Sequence, residues 1–309
     1  MRSLSRGSRE AKHKALQWLF DRYIRWNIKD FGAPNYAMVL EYPIRPVPRY
    51  GESKPAHTKI TSLFSAHDGL YRQTLLELAS FVGKLKCIPE DAGTPTQCCW
   101  NNIFFSALDA IALYGLLGRT TPTQYFEVGS GNSTKFARRA IEDFGLKTTI
   151  TSIDPAPRAE VDQLCDHIIR QPVEDVDMEI FEQLGPGDML FIDNSHRAFQ
   201  NSDVTVFFLD ILPSLKPGIL VHLHDIFLPF DYPSLWADRH YSEQYLLATH
   251  LLANLNADLV LPLAYLCKQK WSSGLMNEIW ADPIFQRAFD RYRNLTGGYS
   301  GVSFWMRSR

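Results

Sequence analysis

From Trp100 onward the sequence alternates between apolar runs of about five residues and longer amphipathic stretches. QYFEV (124–128), TTITSID (148–154), HIIRQ (167–171), DMLFID (188–193) and GILVHLHDI (218–226) read as strands. Between them NNIFFSALDAIALYGLLG, STKFARRAIEDFG, RAEVDQLC, MEIFEQLG, NSDVTVFFLDILPSL and SEQYLLATHLLANL read as helices. Strands joined through helices run parallel by right-handed crossovers, and both sheet faces are then covered. The pattern predicts an α/β, doubly wound, mostly parallel sheet. DLVLPLAYL (258–266) and GVSFWMRS (301–308) are two further strands, separated by a helical insertion at about 267–300.

The first 99 residues lack this rhythm. Residues 8–27 read as a helix, and between Arg2 and Arg25 seven basic residues face only Glu10 and Asp21, with large apolar side chains interleaved. Such a helix docks on its own domain or on a second subunit, or rests on a membrane surface. Pro34, Pro43, Pro46, Pro48 and Pro55 impose extended chain over 33–58, whose polar residues 45–57 suit an active-site cover. A helix over 68–86, with Asp68 as its cap, precedes the break CIPEDAGTPTQCC. The expected division is an accessory region 1–99 and a domain 100–309.

A formal charge of −2 over 309 residues gives no footprint for nucleic acid. Five cysteines without a CxxC pair argue against a disulfide framework and a zinc ribbon. With no apolar run long enough for a membrane span and no signal core, the expectation is a cytoplasmic protein that acts on a small molecule and self-associates.

QYFEVGSGNST is strand, glycine turn and helix start. A phosphate loop requires a Lys after the glycines, and none follows Gly129. The dinucleotide turn GxGxxG requires a third Gly, where Thr134 stands. Glu127, two residues before Gly129, is unsuited to a pyrophosphate and suited to a cation. S-adenosylmethionine carries an ammonium and a sulfonium and no phosphate. Asp154 ends the next strand, 23 residues after Gly131, where an acid takes the ribose hydroxyls.

These segments resemble the class I S-adenosylmethionine-dependent methyltransferases, with FEVGSGNST as first motif, SIDP as second, and GDMLFIDNSH and LKPGILVHLHD as the fourth and fifth strand regions. The resemblance spans residues 100 to about 266 and is nearest in pattern to the small-molecule O-methyltransferases. It implies a Rossmann-like seven-stranded sheet of order 3-2-1-4-5-7-6, the last strand antiparallel. Its cofactor site comprises Glu127, Gly129, Ser130, Gly131, Asn132, Ser133, Asp154 and Asp193, with Glu174 or Asp175 at the adenine.

Methyl transfer to a hydroxyl needs an in-line acceptor and a proton sink. Asp193, Asn194 and His196 end the fourth strand; His222, His224 and Asp225 end the fifth. In the implied order Asp193 and Asp225 emerge together, as for a Mg²⁺ site, although Ile226 replaces the Asn found in the catechol relatives. The Asp193-x-x-His196 spacing resembles the macrocin-type pattern and makes Asp193 a ligand and His196 the general base. Two His and a carboxylate, from His222, His224 and Asp225, also suit non-haem iron, so an iron-dependent hydroxylase is one rival. An inactive binding or scaffold protein is the other.

Overall fold

The computed structural model describes residues 44–157, 160–253 and 257–309, with isolated positions before them (14–16, 18, 19, 22 and 42). The chain divides into two units, Met1–Arg45 and Pro46–Arg309. In the first, positions 14–16, 18, 19 and 22 are helical. The remainder of the expected 8–27 helix, with Pro34 and Pro43, lies outside the described residues.

The second unit is built on a seven-stranded sheet in the order β3-β2-β1-β4-β5-β7-β6. The strands are β1 Gln124–Val128, β2 Thr149–Ile153, β3 His167–Ile169, β4 Met189–Ile192, β5 Leu220–Leu223, β6 Ala257–Pro262 and β7 Phe304–Ser308. Strands β1 to β5 pair in parallel, and β7 runs antiparallel to both β5 and β6. This is the Rossmann-like sheet expected from the motifs. The central strands β1 and β4 are buried along almost their whole length, as strands covered on both faces must be.

The helices are α1 Thr58–Ser65, α2 Asp68–Ala79, α3 Ala107–Thr120, α4 Asn132–Phe144, α5 over 203–214, α6 Glu243–Leu252, α7 Leu263–Lys268, α8 Lys270–Ile279 and α9 Pro283–Thr296. Ile60 and Phe64 of α1 and Tyr71, Leu75 and Leu78 of α2 belong to the same core as the strands. Helices α1 and α2 thus share a core with the sheet, and the boundary between the two compact units lies at 45/46.

Several elements differ locally from the sequence pattern. Residues 162–164 and 178–183 form 3-10 turns rather than α-helices; such short segments hold too few hydrogen bonds to offset helix nucleation. Helix α5 contains a π turn at Phe207–Ile211, one turn before Pro213, whose ring lacks an N–H and crowds the carbonyl four residues back. The run 258–266 is strand only to Pro262 and then turns into α7. Asp68 is not a cap: it starts α2 and accepts from Tyr265 Oη (3.0 Å) and Trp271 Nε1 (3.2 Å). Among the described residues no helix is long and apolar enough to cross a membrane.

One buried carboxylate ties helix to sheet. Asp109 in α3 accepts from the backbone of Val302 (2.9 Å) and Ser303 (2.8 Å) and from Ser106 Oγ (2.6 Å). These bonds fix the chain entering β7, the strand beside β5, whose tip carries His224 and Asp225.

Candidate active site

The carboxyl ends of β1, β2, β4 and β5 open on a cavity of about 1270 Å³. Crevices at this edge are where open parallel sheets bind ligands. The glycine turn forms one wall. Gly129 has φ +82°, and a Cβ added there would overlap the backbone carbonyl oxygen of Asp193. The turn can therefore lie against the end of β4 only with glycine at 129. Its position is fixed by Gly129 N donating to Ile153 O (3.0 Å) and Asp193 N donating to Val128 O (2.9 Å).

Thr134 occupies the place of the third glycine in a dinucleotide fingerprint, and its hydroxyl organises the turn. Gly131 N donates to Thr134 Oγ1 (3.0 Å), which donates in turn to Glu127 Oε2. Tyr125 Oη donates to the other Glu127 oxygen at 3.1 Å. Glu127 has 0% exposure and is not on the cavity wall. The expected place of Glu127 in the cofactor site is therefore an indirect one: the carboxylate is held behind the turn, because Thr134 and Tyr125 take its oxygens. Burial pushes its carboxyl up to about 7, opposed by hydrogen bonds from the turn.

Asp154 lines the cavity at the end of β2. Its Oδ2 accepts from Ser130 N (2.8 Å) and its Oδ1 from Ala156 N (2.8 Å), so it braces the turn as well as facing the cavity. Ser130, Gly131, Asn132 and Ser133 also line it. So does Glu174, whose burial raises its pKa, whereas Asp175 is exposed and off the wall.

The tips of β4 and β5 bring together Asp193, His196, His224 and Asp225. His196 and Asp225 have φ of +59° and +53°, uncommon for residues with side chains and held here by the surrounding bonds. Asn194 Oδ1 accepts from His196 N (2.9 Å), and His196 O accepts from the backbone of Ser242 (2.8 Å) and Glu243 (3.2 Å). The ring is clamped on both sides. Its Nδ1 lies 2.8 Å from Glu243 Oε2, and its Nε2 lies 3.2 Å from Asp193 Oδ1 and 3.5 Å from Asp225 Oδ2. Asn194 Nδ2 satisfies the other Glu243 oxygen at 3.0 Å. Burial alone would discharge the imidazole, but the bonds to Asp193 and Glu243 and the nearby Asp225 outweigh it and raise its pKa well above the ordinary value.

Both ring nitrogens are engaged by carboxylates and the raised pKa favours the charged ring, an arrangement that suits a positioning residue better than the expected general base. The same ring stands between Asp193 and Asp225, where Mg²⁺ was expected. Among the described residues no group of three or more His, Cys, Asp or Glu is arranged to hold a metal. The donor set does not fit the ion. Nor does it fit iron. His222 is fully buried, stacks on Phe191 at 3.8 Å and shares a hydrogen bond with Ser303 Oγ (2.7 Å), which places it in the core. His224 does line the cavity; its Nε2 is 3.6 Å from Asp225 Oδ1, and neither ring nitrogen has a hydrogen-bond partner among the described residues.

The opposite wall was not marked by the sequence. Trp236 and Arg239, from a 3-10 turn, join Tyr241 and Tyr292 on the cavity. Tyr241 packs on the His196 ring at 4.6 Å. Glu243 went unnoticed too: SEQYLL announces a helix start, and nothing in it points back to residue 196.

Residues 126–226 match the family model described as a methyltransferase domain. The matched stretch runs from β1 to just past β5, so this part of the chain is similar to a methyltransferase domain. No curated protein matches the chain in sequence. Among solved structures, the SAH-bound Podospora anserina methyltransferase PaMTH1 is 13% identical, covering 68% of this chain and 93% of its own, at a TM-score of 0.36. The O-methyltransferase TomG from Streptomyces achromogenes, involved in tomaymycin synthesis and solved with SAM, is 14% identical over 68% and 83%, at 0.31. An O-methyltransferase from Bacillus cereus solved with SAH is 13% identical over 82% and 96%, at 0.32.

Proposed function

We propose that this methyltransferase moves the methyl group of S-adenosylmethionine to a hydroxyl of a small molecule, with Asp193 receiving the hydroxyl proton. One observation carries the reading: a single cavity joins the glycine turn and Asp154 at one end to Asp193 and Asp225 at the other. Ser130, Gly131, Asn132 and Ser133 hold the nucleoside and amino-acid parts, Asp154 the ribose hydroxyls, and Glu174 the adenine side. Glu127 acts indirectly by stiffening the turn.

The acceptor oxygen attacks the methyl carbon opposite the sulfur; the C–S bond breaks as the O–C bond forms, leaving neutral S-adenosylhomocysteine. The attacking hydroxyl becomes strongly acidic only as its bond to carbon forms, so a modest base suffices at that moment. Asp193 fits this role better than Asp225 because its side chain is 33% exposed against 9%. His196 bridges the two carboxylates and orients them, which makes it a positioning residue.

Calorimetry of the full chain with S-adenosylmethionine and with NAD tests the reading. Micromolar binding of the first and none of the second is expected. Binding of NAD, or of neither, would refute it.

A further inference from the structure

The cavity is also lined by a guanidinium with no acidic partner among the described residues. Arg239 lies on the cavity, its central carbon 3.8 Å from the centroid of the Trp236 ring and 5.5 Å from that of Tyr241. Its one side-chain hydrogen bond is a long contact to Tyr241 Oη (3.5 Å), and among the described residues no carboxylate lies within ion-pair distance. Stacking of this kind fixes the plane of the fork while leaving its donors unspent.

The platform beneath it is rigid. Trp236 is buried, and its Nε1 donates to Leu295 O at 2.9 Å. The turn that carries it is anchored by Ser234, whose N and Oγ donate to Glu52 at 2.7 and 2.8 Å. Arg197 also stands 5.5 Å from the Tyr241 ring, and its Nε donates to Arg239 O at 2.8 Å. Two guanidinium groups thus flank one aromatic ring beside the His196 cluster. Tyr292 lines the same cavity.

The nucleoside end of the cavity is lined by Asp154, Glu160 and Glu174, and the strand tips by Asp193 and Asp225. A planar fork set on aromatic rings in a cavity otherwise lined by these acids matches the geometry of a carboxylate or phosphate. We infer that the acceptor is an anionic hydroxy compound whose carboxylate or phosphate binds Arg239, with the hydroxyl to be methylated held at Asp193. This rests on the methyltransferase reading. Arg239 would set specificity by recognising a charge distant from the reacting oxygen, and Trp236 and Tyr241 would take the apolar body between.

The test compares matched pairs of acceptors on the full chain with S-adenosylmethionine: hydroxybenzoates against hydroxybenzamides, and phosphorylated sugars against the free sugars. Release of S-adenosylhomocysteine and competition between pair members are read together. The anionic member is expected to be favoured at least about tenfold in kcat/KM or in competition, as for a charge-assisted bidentate contact. Arg239→Gln should remove the preference, and Arg239→Lys should restore part of it. Affinity for S-adenosylmethionine should be unchanged in both variants. Whichever pair shows the effect separates carboxylate from phosphate. Equal use of charged and neutral members, failure of every anionic member, or a preference that persists in Arg239→Gln would overturn the inference. Failure of the wild-type protein to bind S-adenosylmethionine would instead overturn the reading on which it rests.

Discussion

His196 Nδ1 lies 2.8 Å from Oε2 of Glu243, a fully buried carboxylate that reaches it from a helix start 47 residues further along the chain. Glu243 has no solvent to stabilise its charge, and His196 has two more carboxylates at its other nitrogen. Among the described residues the His196 ring is the group that all three carboxylates contact. Replacing it by Gln leaves buried acids without a counter-charge, a change that costs about 3–5 kcal/mol in comparable sites. A histidine whose folded pKa is raised contributes its stability fully below about 6.5 and loses it as pH rises through the higher folded value. The gap in melting temperature between wild type and His196→Gln should therefore be widest below about pH 6.5 and narrow as pH rises into the alkaline range. A gap that widens with pH would contradict a charged His196.

Asp193 and His196 separate in their kinetic consequences. Asp193→Asn keeps the shape of the cluster and removes the proton acceptor. We expect kcat to fall by about 10²–10⁴ with little change in S-adenosylmethionine affinity. Unchanged turnover would move the proton to Asp225 or His224, both on the same wall.

Because an imidazolium stands between Asp193 and Asp225, the two carboxylates do not need a divalent ion to be neighbours. Prolonged dialysis against a chelator should leave both turnover and melting temperature unchanged. Loss of activity restored by Mg²⁺ would show that the ring moves aside for the metal.

The two glycines of the turn should fail in different ways. Gly129→Ala meets both a positive φ and the carbonyl of Asp193, and should destabilise the fold by about 3 kcal/mol or more. Gly131 has φ 177°, outside the left-handed region, and nothing lies within 4 Å of its added Cβ. Gly131→Val should therefore melt like wild type yet lose S-adenosylmethionine affinity, because its new side chain projects where a ligand must approach. Equal melting for both variants would sink the distinction.

The elements read best from sequence were those fixed by local chemistry. QYFEV followed by Gly129 is legible because an apolar strand and a positive-φ turn both demand particular residue types. The sheet order came through the resemblance of several motifs in series, not from any one strand. What escaped was tertiary. The apolar run over 258–266 has no period that tells strand from buried helix, so the switch at Leu263 was invisible. Thr134 was weighed as a missing glycine, whereas its hydroxyl links Gly131 to Glu127. Glu243, Trp236 and Arg239 reach the cavity only through the docking of distant segments. Glu127 was singled out correctly as unusual, but a strand alternates its side chains between two faces, and the sequence did not say which face the ligand would occupy.

Glu127 itself yields a test of that placement. Its folded pKa is about 7 against an ordinary 4.5, with burial the main cause. A carboxyl raised in this way favours folding fully while protonated in both states. The contribution is then lost as pH rises from about 4.5 to about 7, where the unfolded chain ionises and the folded one resists. The shift corresponds to about 3 kcal/mol across that window. Glu127→Gln cannot ionise and escapes this loss, so whatever its hydrogen bonds with Thr134 and Tyr125 cost, the variant should gain on wild type between about pH 4.5 and about pH 7 and run parallel above. Urea unfolding of both proteins across that range measures the difference directly. A stability difference that stays constant with pH would mean that Glu127 is already ionised in the fold, and so reaches water or a cation that its buried position behind the glycine turn denies it.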